Sequence, residues 1–373
     1  MKLQEVVKKI YDNLPIALVA DQDNVGLIIG NYDDECEKMT IAYELNNDVL
    51  KEALQSHSNL VVTYHTPLFR ATKSFASSRS KPNILFEACR FGVNVFAVHT
   101  SLDVVRSGLN FDLAGRLGLK NIQFLSPLKN TLYKIVVFVP QSHLDAVRQA
   151  MSRAGAGRIG NYSECAFVSD GKGSFVPDEK ALPYIGEPGK FDSVNETKLE
   201  MVVEKSLAGV VVSELIKAHP YEEVAYDIYP LVNDSVNFGF GAIGEFDEPM
   251  QLRKFVNHVK EIIGLDFIKA SHFPDTKVKK VALCAGSGVP FYNEAVKGGA
   301  DVFITGDVKH HDFRGAQSSQ TVIIDATHHG TEKFVLEVML KVINRIFPAR
   351  ESGRKKGMSV GMSKHLPENF IVI

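Results

Sequence analysis

Residues 59–103 read NLVVTYHTPLFRATKSFASSRSKPNILFEACRFGVNVFAVHTSLD, and this stretch points most directly to the fold. NLVVTYH (59–65) and VNVFAVHT (93–100) are short apolar runs that predict strands, and NILFEACRFG (83–92) predicts a helix between them. Buried strands joined through helices favour a parallel sheet covered on both faces. Ligands of such sheets bind beyond the carboxyl ends of the strands. The stretch therefore predicts an α/β fold with polar residues, among them His65 and His99, where a site should be.

The same alternation of strands and helices continues on both sides of this stretch and is interrupted once. Two strand–helix–strand patterns around a Gly- and Pro-rich middle predict an inserted ferredoxin-like α+β domain. We therefore predict mostly parallel sheets flanked by helices, whose two halves resemble each other as duplicated half-domains would. The predicted segments are the first half of a metal-binding α/β domain (1–127), the ferredoxin-like insert (128–238) and the second half (239–373).

Composition excludes some classes of partner. A net charge of −2 provides no electrostatic footprint for nucleic acid or an anionic membrane. The four cysteines are scattered without a CxxC pair, which is typical of reduced thiols. The N-terminal segment predicts an amphipathic helix rather than a signal peptide, and no apolar stretch reaches membrane-spanning length. We therefore expect a cytoplasmic protein.

Metal-ligand residues follow predicted strands in three distant segments, TYHTP (63–67), HTSLD (99–103) and DATHHGTE (325–332). His328 and Glu332 are four residues apart, so on a helix both side chains point to the same place. An imidazole and a carboxylate together suit zinc, iron or manganese. His65 and Asp103 would complete the set from two other strand ends.

Each of these residues also has an ordinary structural explanation. Glu332 would be favoured near a helix N-terminus by the helix dipole, Asp103 could cap a helix, and a histidine after a strand often bonds only to a loop. The occurrence of all the ligand types together, at strand ends, favours metal binding over these explanations.

Other polar residues near these segments are candidates for holding a ligand or facing a substrate. His99 fits that role and that of a plain strand-end histidine equally well. Asp307 and His311, in DVKHHD (307–312), could orient substrate or could belong to an exposed helix start. Tyr64 directly precedes His65 and belongs to the same group of candidates.

Several motifs together resemble one known family. They are DNVGLIIG (23–30), VVTYHTPLF, AVHTSLD, GADVFITGDVKHHD (299–312), DATHHGTE and, in the insert, HPYEEVAYDIYPL (219–231). They are similar to the GTP cyclohydrolase 1 type 2 homologues, also called the NIF-three-like or dinuclear-metal hexamer family. The resemblance extends over nearly the whole chain.

The resemblance implies two divalent ions per subunit, held by His65, Asp103, His328 and Glu332, with the acidic ligands able to bridge them. It also implies a toroidal homohexamer with the sites facing an interior cavity. The chain departs from the family at Tyr64, where members have a first histidine that binds the second ion. A protonated phenol is a poor ligand for zinc, so this departure puts the second ion in question.

We predict a divalent-metal-dependent hydrolase that acts on a nucleotide or another small phosphorylated substrate, with ring opening of the GTP cyclohydrolase type as the specific form. No catalytic residue is assigned beyond the metal ligands. The alternative is a non-catalytic metal-binding ring assembly, either a metallochaperone or a regulatory scaffold. The expected partners are other copies of the chain and a small-molecule substrate.

Overall fold

The structure is a computed structural model that describes residues 1–19, 23–78, 83–233, 237–348 and 358–365. The chain divides into two compact units. One unit combines Met1–Pro127 with Asn237–Ile373, and the other is Leu128–Val236. No helix within the described residues is both long and apolar enough to cross a membrane.

Residues 1–127 alternate helices with short, apolar strands. The strands Leu60–Thr63 and Asn94–Ala97 are fully buried. Asn46 caps the helix that follows it by accepting hydrogen bonds from two backbone amides. The elements are α1 (Leu3–Tyr11), α2 (Ile16–Val19), β1 (Gly26–Ile29), β2 (Lys38–Ala42), α3 (Asn47–Gln55), β3 (Leu60–Thr63), α4 (Ile84–Arg90), β4 (Asn94–Ala97), α5 (His99–Asp103), α6 (Leu109–Arg116), β5 (Lys120–Gln123) and β6 (Ser126–Pro127).

The segment 128–236 folds as its own unit. Its strands and helices are β7 (Leu132–Val139), α7 (Leu144–Arg153), β8 (Phe167–Phe175), β9 (Asp192–Glu204), α8 (Ala208–Ala218) and β10 (Tyr226–Leu231), with 3-10 turns at Gln141–His143 and Lys205–Leu207. The sheet order is β10-β7-β9-β8 and every pairing is antiparallel. Leu199, Met201 and Val203 of β9 share a core with residues of α7 and α8. This is the predicted ferredoxin-like arrangement.

The remaining residues return to the larger unit. Their elements are β11 (Gly239–Phe240), β12 (Ala242–Gln251), α9 (Leu252–Ile263), β13 (Lys269–Ala270), β14 (Lys277–Leu283), a 3-10 turn at Val289–Phe291, α10 (Tyr292–Lys297), β15 (Val302–Thr305), α11 (His310–Ala316), β16 (Val322–Asp325), α12 (His328–Glu332), α13 (Val335–Ile346) and β17 (Ser359–Met362).

The two ends of the chain interleave in the larger unit. One sheet has the order β1-β4-β3-β2-β17, so its last strand comes from the C-terminal part of the chain. The other has the order β13-β16-β15-β14-β12-β5, so its edge strand comes from the N-terminal part. Met339 and Val342 of α13 share a core with Met39 and Val62 of the first sheet. The site is therefore built on one continuous body.

The predicted α/β class is confirmed, but the sheets are mixed rather than mostly parallel. Strands β17, β2, β3 and β4 run parallel, as do β14, β15 and β16. Strands β1, β12, β13 and β5 pair antiparallel with their neighbours. The apolar pattern of a strand reports its burial and not its direction, which is why the sequence did not show this.

Candidate metal centre

The carboxyl ends of strands from both sheets meet at one cluster of polar side chains. Tyr64 and His65 directly follow β3, and the five-residue helix α5 follows β4 after one residue. Helix α12 follows β16 in the other sheet. The predicted strand 93–100 ends earlier than expected, at Ala97, because His99 begins α5. The cluster therefore lies where parallel strands of both sheets end.

His65, His328 and Glu332 come together as a group of metal-ligand side chains. Their donor atoms all lie within 4.8 Å of one another. Among the described residues, this is the group in which three such donors come this close together. Nε2 of His65 is 3.1 Å from Oε2 of Glu332, and Nε2 of His328 is 3.1 Å from Oε1. Glu332 is 3% exposed, so its carboxylate is held away from solvent.

The donor set fits a divalent ion of the zinc type. Ligand atoms at about 2.1 Å from a tetrahedral ion lie roughly 3.4 Å apart. The two 3.1 Å separations around Glu332 are close to that value. Two imidazoles and a carboxylate are also a ligand set that zinc adopts in sites that leave one position open for water. These residues are therefore close enough together to be ligands of one ion.

Asp307 orients His328. Oδ2 of Asp307 is 2.7 Å from Nδ1 of His328, and it also accepts a hydrogen bond from the Ser287 hydroxyl. A carboxylate on Nδ1 directs the opposite nitrogen, Nε2, toward a metal.

The backbone beside the site has two residues with positive φ. Asp307 has a φ of 55°, and Thr327, which precedes His328, has a φ of 62°. Positive φ in a β-branched residue marks local strain of the kind that occurs at functional sites.

Asp103 lies beside this group but is not one of its members. Both of its carboxylate oxygens accept from the hydroxyl of Tyr64, at 2.9 and 3.1 Å. The same hydroxyl is 3.5 Å from Oε1 of Glu332. Asp103, the fourth predicted ligand, is thus linked to the metal-ligand group through the hydroxyl of Tyr64.

His99 borders the site through its ring, which is centred 5.2 Å from the ring of His65 and 5.5 Å from that of Tyr64. Its Nδ1 lies 2.5 Å from Oδ2 of Asp23, and the Thr100 hydroxyl donates to the same oxygen. This pairing holds the His99 ring against the metal-ligand group.

His311 is further from the group and lines a cleft that opens beside it. The cleft has a volume of about 1230 Å³, and Ser287, Asp307 and His328 belong both to its wall and to the cluster. Lys269 and Lys309 also line it. A cavity of this size can take a nucleotide-sized molecule.

Two residues of the cluster were not found from the sequence. Tyr43 follows β2 and donates to Oε2 of Glu332 at 2.5 Å. Asp23 opens the DNVGLIIG motif and pairs with His99. Strand-end position would have been a usable signal for Tyr43, since it follows its strand just as Tyr64 follows β3.

Burial and ion pairing shift several pKa values. Burial alone would raise the pKa of Glu332, but its contacts with His328 and His65 lower it to about 2. The Glu332 carboxylate, assisted by Asp307, raises the pKa of His328 to about 9 against the effect of burial. Burial raises the pKa of Asp103 to about 7. In the absence of metal, this pKa favours the protonated form of His328 at neutral pH.

The metal-free protein is expected to lose stability as the pH rises from 6.5 to about 9. His328 has its pKa raised in the folded state, so its contribution is complete below pH 6.5 and disappears as pH rises through about 9. The contribution of Asp103 also decreases as pH rises, but its raised pKa places that change mainly below pH 7, and Glu332 stays ionised throughout the range. We expect a decrease on the order of 2 kcal/mol, measured by chemical denaturation in EDTA.

The His328→Gln variant is the control, because it removes the titrating ring. Its free energy of unfolding should vary less with pH over this range than that of the wild type. Equal slopes in the two proteins would contradict the assignment. Zinc affinity of the wild type should rise with pH over the same range, since the metal replaces the proton on His328.

Comparison with known proteins gives consistent relationships. A family model described as Duf34/NIF3 (NGG1p interacting factor 3) matches residues 1–354. The chain is 37% identical over 316 residues to a protein of Halalkalibacterium halodurans named GTP cyclohydrolase 1 type 2 homolog, covering 84% of this chain and 85% of that protein. It is 33% identical to the Bacillus subtilis protein of that name, covering 97% and 96% of the two chains.

Solved structures show the same relationship. A crystal structure of a Bacillus cereus protein related to NIF3 aligns with a TM-score of 0.86 at 33% identity, covering 100% of this chain and 99% of that one. Staphylococcus aureus protein SA1388 aligns with a TM-score of 0.74 at 26% identity, with the same coverage. These matches confirm the family resemblance that the sequence motifs indicated.

Proposed function

Because the chain belongs to the Duf34/NIF3 family, we propose that it is a divalent-metal-dependent hydrolase of a nucleotide or another small phosphorylated molecule. The observation that carries this proposal is the convergence of His65, His328 and Glu332, of which His328 also lines a cleft. A histidine, histidine and carboxylate set leaves coordination positions open for water and substrate. We propose zinc, iron or manganese as the ion.

The residues of the chain would each have a distinct part in this chemistry. His65, His328 and Glu332 would hold the ion, and Asp307 keeps Nε2 of His328 directed inward. The bound ion would supply a Lewis acid and lower the pKa of water toward about 7. The buried surroundings of Glu332 keep bulk water away from that position and strengthen the electrostatic interactions there.

The residues that line the cleft favour a phosphorylated substrate. Lys309 is exposed on its wall beside Asp307 and His311, and Lys269 lines it as well. Ammonium groups pair readily with phosphate oxygens. The base or sugar of a nucleotide could then extend toward the metal ligands, because His328 lines the same cleft as Lys309.

The relatives' name suggests the specific reaction, which we carry to this chain as part of the proposal. Water would add to the imidazole carbon of the guanine ring of GTP and open the ring to a formamide. A second water would then release that carbon as formate. Both steps are hydrolytic and need no redox partner.

Formate release from GTP is the test of this reaction. Purified protein supplied with Zn²⁺, Mn²⁺ or Fe²⁺ should release formate, and Glu332→Ala should lower the rate on the order of 100-fold or more because a buried ligand is lost. Glu337→Ala removes an exposed carboxylate from the same chain and should leave the rate unchanged. Absence of hydrolysis of GTP and other nucleotides with all three metals would contradict the proposal.

The rival function is a non-catalytic metal-binding ring assembly. It is favoured by one observation, which is that Tyr43 and Tyr64 both place hydroxyls against Glu332 and so occupy acceptor positions of a metal ligand. Tight metal binding without turnover would support this rival. Light scattering tests the homohexamer that we propose for either function, against a chain mass of 41.2 kDa.

A further inference from the structure

Tyr64 has its hydroxyl enclosed between two carboxylates. The side chain is 1% exposed. Its Oη is 2.9 and 3.1 Å from the two oxygens of Asp103 and 3.5 Å from Oε1 of Glu332. The phenol oxygen therefore lies in the space that an ion shared by these two carboxylates would need.

The ring of Tyr64 is fixed in this position by its neighbours. Its centroid lies 4.9 Å from that of His65, 5.5 Å from that of His99 and 6.2 Å from that of Tyr43. A buried ring with neighbours on these sides is held in place by close packing. The packing thus keeps the hydroxyl beside the two carboxylates.

The hydrogen bonds also give Asp103 a partner other than a metal. A phenol has one proton to donate, and here the Tyr64 hydroxyl donates it to the Asp103 carboxylate. An ion bound by both Asp103 and Glu332 would have to lie about 2.1 Å from an oxygen of each. That position overlaps the phenol oxygen or its proton.

We propose that this chain binds a single divalent ion, on His65, His328 and Glu332, and that the Tyr64 hydroxyl, hydrogen-bonded to Asp103 and 3.5 Å from Glu332, occupies the place of a second ion. Asp103 is then a hydrogen-bonded neighbour of the centre and not a metal ligand. The inference rests on the metal centre of the proposed function but not on hydrolysis. It differs from the expectation of two ions per subunit that came from the family resemblance.

The test is the number of zinc ions bound per chain, measured by elemental analysis and by native mass spectrometry after dialysis. The wild type should bind one ion. Tyr64→His replaces the phenol with an imidazole that can ligate, so it should bind two. Tyr64→Phe keeps the ring and lacks a ligand, and Tyr43→Phe removes the other phenol on Glu332, so both should stay at one.

Two ions in the wild type would overturn the proposal whether or not any variant folds. So would a folded Tyr64→His protein that still binds one ion, or an iron(III) protein with the visible absorption of a phenolate ligand, since Tyr64 would then be bound to the metal. Formate release is measured separately. One bound ion without turnover would therefore refute hydrolysis and support this inference. Turnover with two bound ions would support hydrolysis and refute this inference.

Discussion

Replacing Glu332 with glutamine is expected to lower zinc affinity on the order of 100-fold or more. The carboxylate is 3% exposed and contacts both imidazoles, so it is the one group that connects the two histidines of the site. The amide has no charge and presents an NH₂ group toward an imidazole or the metal. Isothermal titration with Zn²⁺, from chelator-treated protein, measures the effect.

The same substitution should also destabilise the metal-free protein by about 3 kcal/mol, because a buried ion pair loses one partner. Glu337→Gln is the matched control. Glu337 pairs with Arg116 at 2.7 Å, but its side chain is 55% exposed, so the change should cost less than about 1 kcal/mol and leave zinc affinity intact. Wild-type zinc affinity in Glu332→Gln would show that the carboxylate is not a ligand.

Replacing Gly286 with alanine is expected to block the metal position without removing any ligand. A Cβ at this residue would lie 2.6 Å from Oε1 of Glu332 and 3.5 Å from Nε2 of His328. Its backbone amide donates to the hydroxyl of Thr331, on helix α12, which holds the loop against the ligands. The added methyl group therefore enters the space between two metal ligands, and zinc affinity should fall on the order of 100-fold.

Gly299→Ala controls for backbone strain in this experiment. The two glycines have nearly the same φ, 66° and 70°, and an alanine at either site should cost about 1 kcal/mol. No heavy atom lies within 4 Å of a Cβ placed at Gly299. Thermal unfolding should shift at least as much in Gly286→Ala, which adds the steric contact with Glu332 to the backbone strain, while only that variant loses zinc. Equal zinc affinities in the two variants would mean that the ion binds elsewhere.

Short-range features of the chain were sufficient for much of the candidate site. His328 and Glu332 could be paired from their spacing alone, because the geometry of a helix fixes the relation between residues four apart. His65 was predicted from its place after an apolar strand. The alternation of strands and helices likewise predicted the α/β class and the ferredoxin-like segment.

Contacts between residues far apart in the sequence could not be predicted from such short-range features. Tyr43 and Glu332 are 289 residues apart in sequence, and Asp23 and His99 are 76 apart. Such contacts depend on which strands become neighbours, and in which direction. The strands β17 and β5 each join the sheet built mainly from the opposite end of the chain, which no local pattern predicts.

Asp103 shows the difference between what local sequence patterns predict and what tertiary contacts decide. Its residue type and its position after a strand made it a reasonable metal ligand, and both of those features are local. Packing places the Tyr64 hydroxyl on its two oxygens and leaves His65, His328 and Glu332 as the close donors. Periodicity and residue chemistry thus establish which groups are available for a metal, whereas distances of a few ångströms between buried side chains, set by the folded core, establish which of them can bind it together.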